Sequence, residues 1–456
     1  MNISNFFKKL LSLIVAFLIS LGVISAPSIP EEGIKADATI LFSDADPGCA
    51  AGKVSVSSNF DGTYDVYWGD ANGEKLSAVS KDGKVVPYSY FTDVAVEKGS
   101  GEQTLGEFLA IPENAETMLL YYGDELLDTD ALPKEKLNAY DGELYSFGAL
   151  SDVHFNRYSS NSDDNASEAF PNALNFFKEM GTTIVGVCGD LSSRGESSAF
   201  EKFNSYASQY SFPIFSCKGN HDCYEKFDYN AWKANMNPGV YSETKRDGVL
   251  DVASNGYDFV YSGKETKGDV FIFFSQISST YAPFVRLVTD EQLDWLAAQF
   301  EKYKNERVYL FFHTFLNAPS GIGALGEGNI VNDYGISYAL PYFKGNEDEK
   351  RFRNLLTEYK NVTFFNGHSH LSYDMQSYNP RLNITDYDGT TATMVHVSSV
   401  SAPRTTSIKD PTLKSNPGTM SEGLYMTVYP EYIIVTACDF IGGRFLAYAT
   451  YRVDKK

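Results

Sequence analysis

The chain reads as an α/β domain built on a largely parallel sheet, preceded by a smaller all-β domain of the immunoglobulin or fibronectin kind. Three observations predict this. Short apolar, β-rich runs end again and again in polar motifs, with helical patterns between several of them, as βαβ units require. Before residue 143 the texture changes to short strand candidates separated by tight-turn pairs. Only six histidines occur in 456 residues, and five of them fall at the carboxyl ends of the apolar runs.

At the N-terminus, Lys8 and Lys9 precede the apolar stretch Leu10 to Val23, which has the length of a signal h-region and is short for a membrane span. Residues 1–26 are therefore expected to direct export, giving a secreted or extracellular protein. Val23-Ile24-Ser25 and Ala36-Asp37-Ala38 are competing cut sites, so the leader extends as far as residue 38 if the second is used. An uncleaved leader would tether the protein to the membrane. No cysteine precedes Cys49, which excludes a lipid anchor on a leader cysteine.

Residues 39–140 are expected to form the β-sandwich domain. Val54-Ser55-Val56, Tyr64 to Trp68 and Met118 to Tyr122 are its strand candidates, and Asp61-Gly62, Asn72-Gly73 and Asp82-Gly83 are its turn signals. Such a domain suits contact with a cell surface, or it walls one side of a cleft.

Residues 143–456 form the larger domain. Strands are expected at Leu144 to Leu150, Thr183 to Cys188, Pro213 to Cys217, Val308 to Phe312 and Val362 to Phe365. Helices are expected over Ala166 to Met180, stopped by Gly181, over Ser197 to Tyr210 and over Asp348 to Tyr359. Another begins at Thr289, which forms a capping-box pattern with Gln292, and carries Leu293, Leu296, Phe300 and Tyr303 along one face. Thr391 to Val400, Gly423 to Tyr429, Tyr432 to Ala437 and Phe445 to Val453 read as late strands completing a second sheet.

The five strands of the larger domain lead into Asp152-Val153-His154, Gly189-Asp190, Gly219-Asn220-His221-Asp222, His313 and Gly367-His368-Ser369-His370. In open α/β sheets the binding crevice lies beyond the carboxyl ends of the strands, so these motifs are expected to converge. Imidazole is the commonest protein ligand for Zn, Fe and Mn, and histidine placed beside Asp, Asn and Gly points to a metal centre. His396 differs. It sits in the alternating stretch Met394-Val395-His396-Val397 and reads as a hydrogen-bonded sheet residue.

The order and spelling of these motifs resemble the calcineurin-like metallophosphatase superfamily over roughly residues 143 to 400. Phe212-Pro213-Ile214 before Gly219-Asn220-His221-Asp222, and Asn361-Val362 before Gly367-His368-Ser369-His370, extend the resemblance beyond the ligands. It implies a layered αββα metallophosphatase sandwich with two facing sheets flanked by helices. By position it implies that Asp152, His154 and His370 hold one metal, that Asn220, His313 and His368 hold another, and that Asp190 bridges them. Two divalent or mixed-valence ions of Fe, Zn or Mn, about 3.5–4 Å apart, would supply a hydroxide to attack phosphorus in line with the leaving oxygen. His221 is expected to be the general acid, with Asp222 as a candidate to orient its ring, and Arg194 resembles a phosphate-contacting arginine. Tyr67-Trp68-Gly69 resembles a strand of the sandwich domain that precedes the catalytic domain in some secreted metallophosphatases.

One position departs from the pattern. Three residues after the bridging aspartate, purple acid phosphatases carry an iron-ligating tyrosine and protein Ser/Thr phosphatases an aspartate, whereas this chain has Ser193. No strong visible charge-transfer band is expected, even with iron bound.

Composition narrows the partners. The net charge of −21 becomes −23 without residues 1–26, which hold two lysines and no acid, so binding to duplex nucleic acid is disfavoured. A small anionic phosphate ester is the expected substrate, because metal charge can dominate the site locally. Five cysteines cannot all pair in one chain, and Cys188 and Cys217 read as buried thiols in core strands. The 31 Tyr and 32 Phe suit a large packed core. Loop-rich stretches 317–344 and 371–388 adjoin ligand motifs and are candidates for substrate selection. The sequence reading is a secreted, metal-dependent phosphoesterase acting on mono- or diesters; its rival is an exported surface-binding protein that keeps the scaffold without turnover.

Overall fold

The computed structural model describes residues 29–30, 32–42, 49–79, 83–105, 109–132, 142–156, 165–236, 248–279, 285–316, 347–374, 383–386, 389–407, 410–415 and 418–456. The expected leader, the stretch 317–344 and most of 371–388 lie outside the described residues. Among the described residues no helix is long and apolar enough to cross a membrane.

Two mixed sheets face one another. The first has eight strands in the order Ile214–Ser216, Ile184–Val187, Tyr145–Leu150, Glu422–Val428, Tyr432–Asp439, Arg444–Asp454, Leu109–Ala110, Cys49–Ala50. The second has seven, in the order Gly248–Val252, Phe259–Gly263, Val270–Phe273, Val308–Phe311, Val362–Asn366, Thr393–His396, Ile384–Thr385. Parallel pairing joins the first three strands of one sheet and the four from Val270–Phe273 to Thr393–His396 in the other. The remaining pairs are antiparallel, so "largely parallel" holds only for the part of each sheet that carries the motifs. Of the late strands, only Thr393–His396 enters the second sheet; the three that follow extend the first instead.

Alternation builds the layers. In the second sheet Phe271, Phe273, Tyr309, Phe311 and Phe365 turn inward, where Phe147 of the first sheet meets Tyr309 at 4.6 Å and Phe271 at 5.1 Å between ring centroids. Val270, Ile272, Val308, Leu310 and Phe364 turn outward and are covered by Leu293, Leu296 and Phe300 of helix Asp290–Lys302 and by Phe352 and Leu356 of helix Glu347–Glu358. Thr289 makes the expected capping box, its side chain accepting from Gln292 N while the Gln292 side chain accepts from Thr289 N. Helices Asn165–Glu179 and Ser197–Ala207 cover the other sheet with Phe170, Leu174, Phe177, Phe200 and Phe203. The result is an α/β/β/α sandwich.

Ahead of it, residues 36–131 are all β. A three-stranded sheet (Ala36–Phe42, Gly52–Ser58, Ser100–Thr104) and a four-stranded one (Glu125–Ala131, Thr117–Tyr122, Gly62–Gly69, Tyr90–Val96) share a core that includes Val54, Val56, Val66, Trp68, Phe91 and Leu120. This layer is joined to the larger sandwich. Leu109 pairs with Tyr451, Ala447 enters the N-terminal core, and Tyr88 packs on Phe445 at 5.0 Å.

Candidate metal centre

Every motif sits on the turn leaving its strand, and the turns are held in an uncommon backbone shape. Asp152, His154, Asp190, His368 and His370 all have φ between 53° and 69°. That conformation costs a non-glycine residue about 1–2 kcal/mol, and its concentration in one place marks strain kept for a purpose. Hydrogen bonds between turns hold it. Asp152 N donates to Gly189 O, His154 N to Asp190 O, Gly367 N to His313 O and His368 N to Asp152 Oδ2, all within 3.1 Å. The glycines permit this crowding: a Cβ on Gly219 would lie 2.1 Å from Asp190 Oδ1, and one on Gly367 1.8 Å from Ser151 Oγ.

The side chains converge. Three groups of donor atoms form among the described residues, and two of them share no residue: Asp152 with His154 and His370, and Asp190 with His313 and His368, all buried. Asp190 links the groups, its Oδ2 lying 3.1 Å from His313 Nε2 and 3.7 Å from His154 Nε2. Asn220 Oδ1 lies 3.0 Å from His313 Nε2. A ring nitrogen of His221 lies within 4.8 Å of the donor atoms of His154 and Asp190.

The partners behind the rings set how the rings face the cluster. His370 Nδ1 donates to Ala402 O at 3.1 Å and His313 Nδ1 to Cys188 O at 2.6 Å, so each ring directs its Nε2 inward, where either a proton or a metal ion can sit. There His370 Nε2 meets His154 Nε2 at 3.1 Å, and His313 Nε2 meets His368 Nδ1 at 3.2 Å. Asp152 Oδ1, 2.9 Å from His370 Nε2, and His154 Nδ1 have no well-aligned hydrogen-bond partner among the described residues. Four imidazoles and two carboxylates crowded into one buried space, with Asp152 Oδ1 and His154 Nδ1 unmatched, are well suited to hold cations. The donor set, imidazole nitrogen with carboxylate and amide oxygen, fits Fe, Zn or Mn.

Electrostatics agree. Burial alone would raise the Asp152 carboxyl, yet His370 and His313 hold it well below its ordinary range. Burial would likewise raise Asp190, and His313 and His221 bring it down instead. Burial pushes the His154 ring down to about 3, keeping it neutral. For His313 burial acts downward too, but Asp190 and Asp152 outweigh it and raise the ring to about 9. Two carboxylates thus stay ionised inside the protein and draw a proton onto His313 where a metal ion would serve.

One expected role changes. Asp222 does not orient His221: its carboxylate accepts from Ser192 N and Oγ at 2.8 and 2.9 Å, from Gly219 N at 3.0 Å and from Leu191 N at 3.3 Å. It ties the Asp190 turn to the Asn220 turn. The residue that orients His221 is Ser193, whose backbone carbonyl accepts from His221 Nδ1 at 2.8 Å. Arg194 is exposed, its backbone N–H bonded to Glu196 Oε2 at 2.7 Å, and among the described residues no contact brings its guanidinium to the cluster. His396 is the buried sheet residue expected, its Nε2 donating to Leu371 O at 2.8 Å.

Sequence reasoning missed the serines behind the site. Ser399 and Ser401 both donate from Oγ to Asp152 O, at 2.9 and 3.1 Å. Their signal was a polar run, Ser398-Ser399-Val400-Ser401, leaving the end of a parallel strand like the other motifs but without a histidine to mark it.

Residues 145–372, half of the 456-residue chain, match the family model of calcineurin-like phosphoesterases. No curated protein matches the sequence. Among solved structures, a predicted phosphoesterase of Streptococcus pneumoniae TIGR4 is similar at 11% identity, over 68% of this chain and 97% of that one, with a TM-score of 0.27. Vps29 of Entamoeba histolytica complexed with Zn²⁺ is similar at 10% identity, over 68% and 99% of the two chains, with a TM-score of 0.28. The matched segment runs from the first motif-bearing strand to just past His370 and so takes in every turn of the cluster: the chain belongs to the calcineurin-like phosphoesterase family.

Proposed function

We propose that the protein is an exported phosphoesterase that holds two metal ions and hydrolyses small phosphate mono- or diesters. Asp152, His154 and His370 are the ligands of one ion, and Asn220, His313 and His368 of the other. Asp190 serves both. The observation that carries this reading is the pair of inward-facing imidazole contacts at 3.1 and 3.2 Å, each with a ring fixed from behind by a backbone carbonyl. When bound, the ions would supply an activated water and neutralise the phosphoryl oxygens as charge shifts.

The chain's own residues do the rest. The Nδ1–H of His221 is held by Ser193 O, so its Nε2 is the nitrogen that can deliver a proton to the leaving oxygen when the ring is protonated. Its position beside both His154 and Asp190 supports a role against the reacting group. Arg194, exposed four residues after Asp190, is assigned to phosphate contact as substrate arrives. Export is supported by the apolar stretch Leu10 to Val23 behind Lys8 and Lys9. The N-terminal β layer is assigned the contact with cell-surface material.

The test joins elemental analysis with a mono- and diester assay on wild type, Asp190→Ala and His221→Ala. Metal and turnover should fall together in Asp190→Ala, while His221→Ala should keep its metal. A metal-loaded wild type that cleaves no ester but binds cell-surface material would replace the reading with that of a binding protein.

A further inference from the structure

A buried acidic side chain behind the cluster belongs to none of the motifs. Glu422 begins the strand beside Tyr145–Leu150 and is only 3% exposed. Three donors from two different turns point at it. Ser372 Oγ donates to Oε1 at 2.8 Å, while Ser398 Oγ and Tyr373 N donate to Oε2 at 2.7 and 3.3 Å. The same two turns are cross-linked by Ser398 N donating to Tyr373 Oη at 3.1 Å.

Each turn backs one ligand. Ser372 lies two residues after His370; its N–H donates to Arg404 O, and Arg404 N returns a bond to His370 O at 2.6 Å. Ser398 opens the run whose Ser399 and Ser401 hydroxyls grip Asp152 O and whose Ala402 O receives His370 Nδ1. The backbone joins in: Glu422 N donates to Ser399 O at 3.2 Å, and Ser421 Oγ to Val400 O at 2.6 Å. On the far side, Tyr448 Oη donates to Asp374 Oδ1, which closes the turn after His370 against strand Arg444–Asp454. The supports of the other group are elsewhere, at Cys188 O for His313 and at Asp222 for the Asp190 and Asn220 turns.

We propose that Glu422 is a positioning residue that sets the affinity of the Asp152–His154–His370 group for its ion, acting through Ser372 and Ser398. This rests on the two-ion reading above. A buried carboxyl group with three polar partners is costly to remove, because those partners are left unmatched and the turns they belong to must relax. Residues that orient metal ligands from behind typically change affinity about 10–100-fold when lost.

The test is isothermal titration of metal-stripped full-length protein with Mn²⁺, with a thermal melt of each variant beside it. Wild type should take two ions per chain. Glu422→Ala should weaken one of them about 10–100-fold and leave the other unchanged. Glu422→Gln, whose amide oxygen still accepts from Tyr373 N and whose serine neighbours can reverse their hydroxyls, should recover most of the loss. If Glu422→Ala does not fold, Ser398→Ala, which removes one donor, should show the same one-ion weakening to a smaller degree. Two wild-type ions with both affinities unchanged, or both weakened alike, would overturn the role of Glu422 and leave the two-ion reading standing. A wild type that takes fewer than two ions would overturn both.

Discussion

At the scale of single residues, the proposed function rests on which nitrogen of each imidazole faces inward. His313 and His370 give their Nδ1 protons to carbonyls and turn Nε2 inward, so replacing the carboxylate between the two groups should disperse them. Asp190→Ala is expected to lose metal and turnover together, read by elemental analysis and ester hydrolysis. His221→Ala should retain metal but lose about 10²–10⁴-fold on esters with poor leaving groups, and much less on activated esters that need no proton. Equal losses on both substrates would remove His221 as the acid. Ser193 bears on colour as well. It occupies the sequence position where the resemblance would put an iron-ligating tyrosine in the family's purple members, so iron-loaded protein should show no strong visible charge-transfer band.

Glu422 also gives a pH dependence. Burial, with Asp374 nearby, raises its carboxyl from 4.5 to about 8, so the folded chain holds a proton that the unfolded chain releases. The stability this group confers is therefore full below about 4.5 and is lost as pH rises through about 8. Glu422→Gln removes that slope: relative to wild type, its urea midpoint should rise between pH 5 and pH 8.5. A constant difference across that range would show that the carboxyl titrates normally.

At the scale of elements, the strand ends do the positioning, and this much was legible in the sequence. Apolar runs closing on Asp, Asn, Gly and His located the strands, and Thr289 with Gln292 marked a helix start that the structure caps as expected. Three kinds of feature were not legible. Strands Gly248–Val252, Phe259–Gly263 and Val270–Phe273 carry no ligand at their ends, and helix Tyr229–Met236 is short with a weak apolar stripe, so nothing marked them. Asp222 looked like a partner of His221 because it is adjacent in sequence, but the turn sends its carboxylate toward the backbone of Ser192 and Gly219. The serines at 399 and 401 act on a residue some 250 positions away, a distance across which local pattern is silent. The tight contact of Gly367 with Ser151 gives an element-scale prediction. Gly367→Ala should destabilise the fold by about 1–3 kcal/mol, the usual cost of forcing atoms into a packed site, and weaken metal binding with it. A variant with wild-type melting and metal content would show that the two turns do not need this approach.

At the scale of the molecule, the N-terminal β layer and the larger sandwich share strands and core, so neither is a bead on a string. Cys49–Ala50 and Leu109–Ala110 continue the eight-stranded sheet, and Ala447 of that sheet is fully buried in the N-terminal core. Calorimetry should therefore show one unfolding transition for the whole chain. Ala447→Glu, which buries an unpaired charge at the seam, should lower the stability of both halves together by about 3 kcal/mol or more. Two separate transitions, with only the earlier one moved by the substitution, would mean that the halves fold independently. A joined layer also explains why its Tyr90 can pack on Tyr448, whose hydroxyl holds Asp374 close to the His370 turn.

If the five turns meet around two neighbouring cations, elemental analysis of dialysed protein should find two metal ions per chain in wild type and at most one in Asp190→Ala. A wild type with fewer than two ions, or an Asp190→Ala variant that keeps both, would contradict that arrangement.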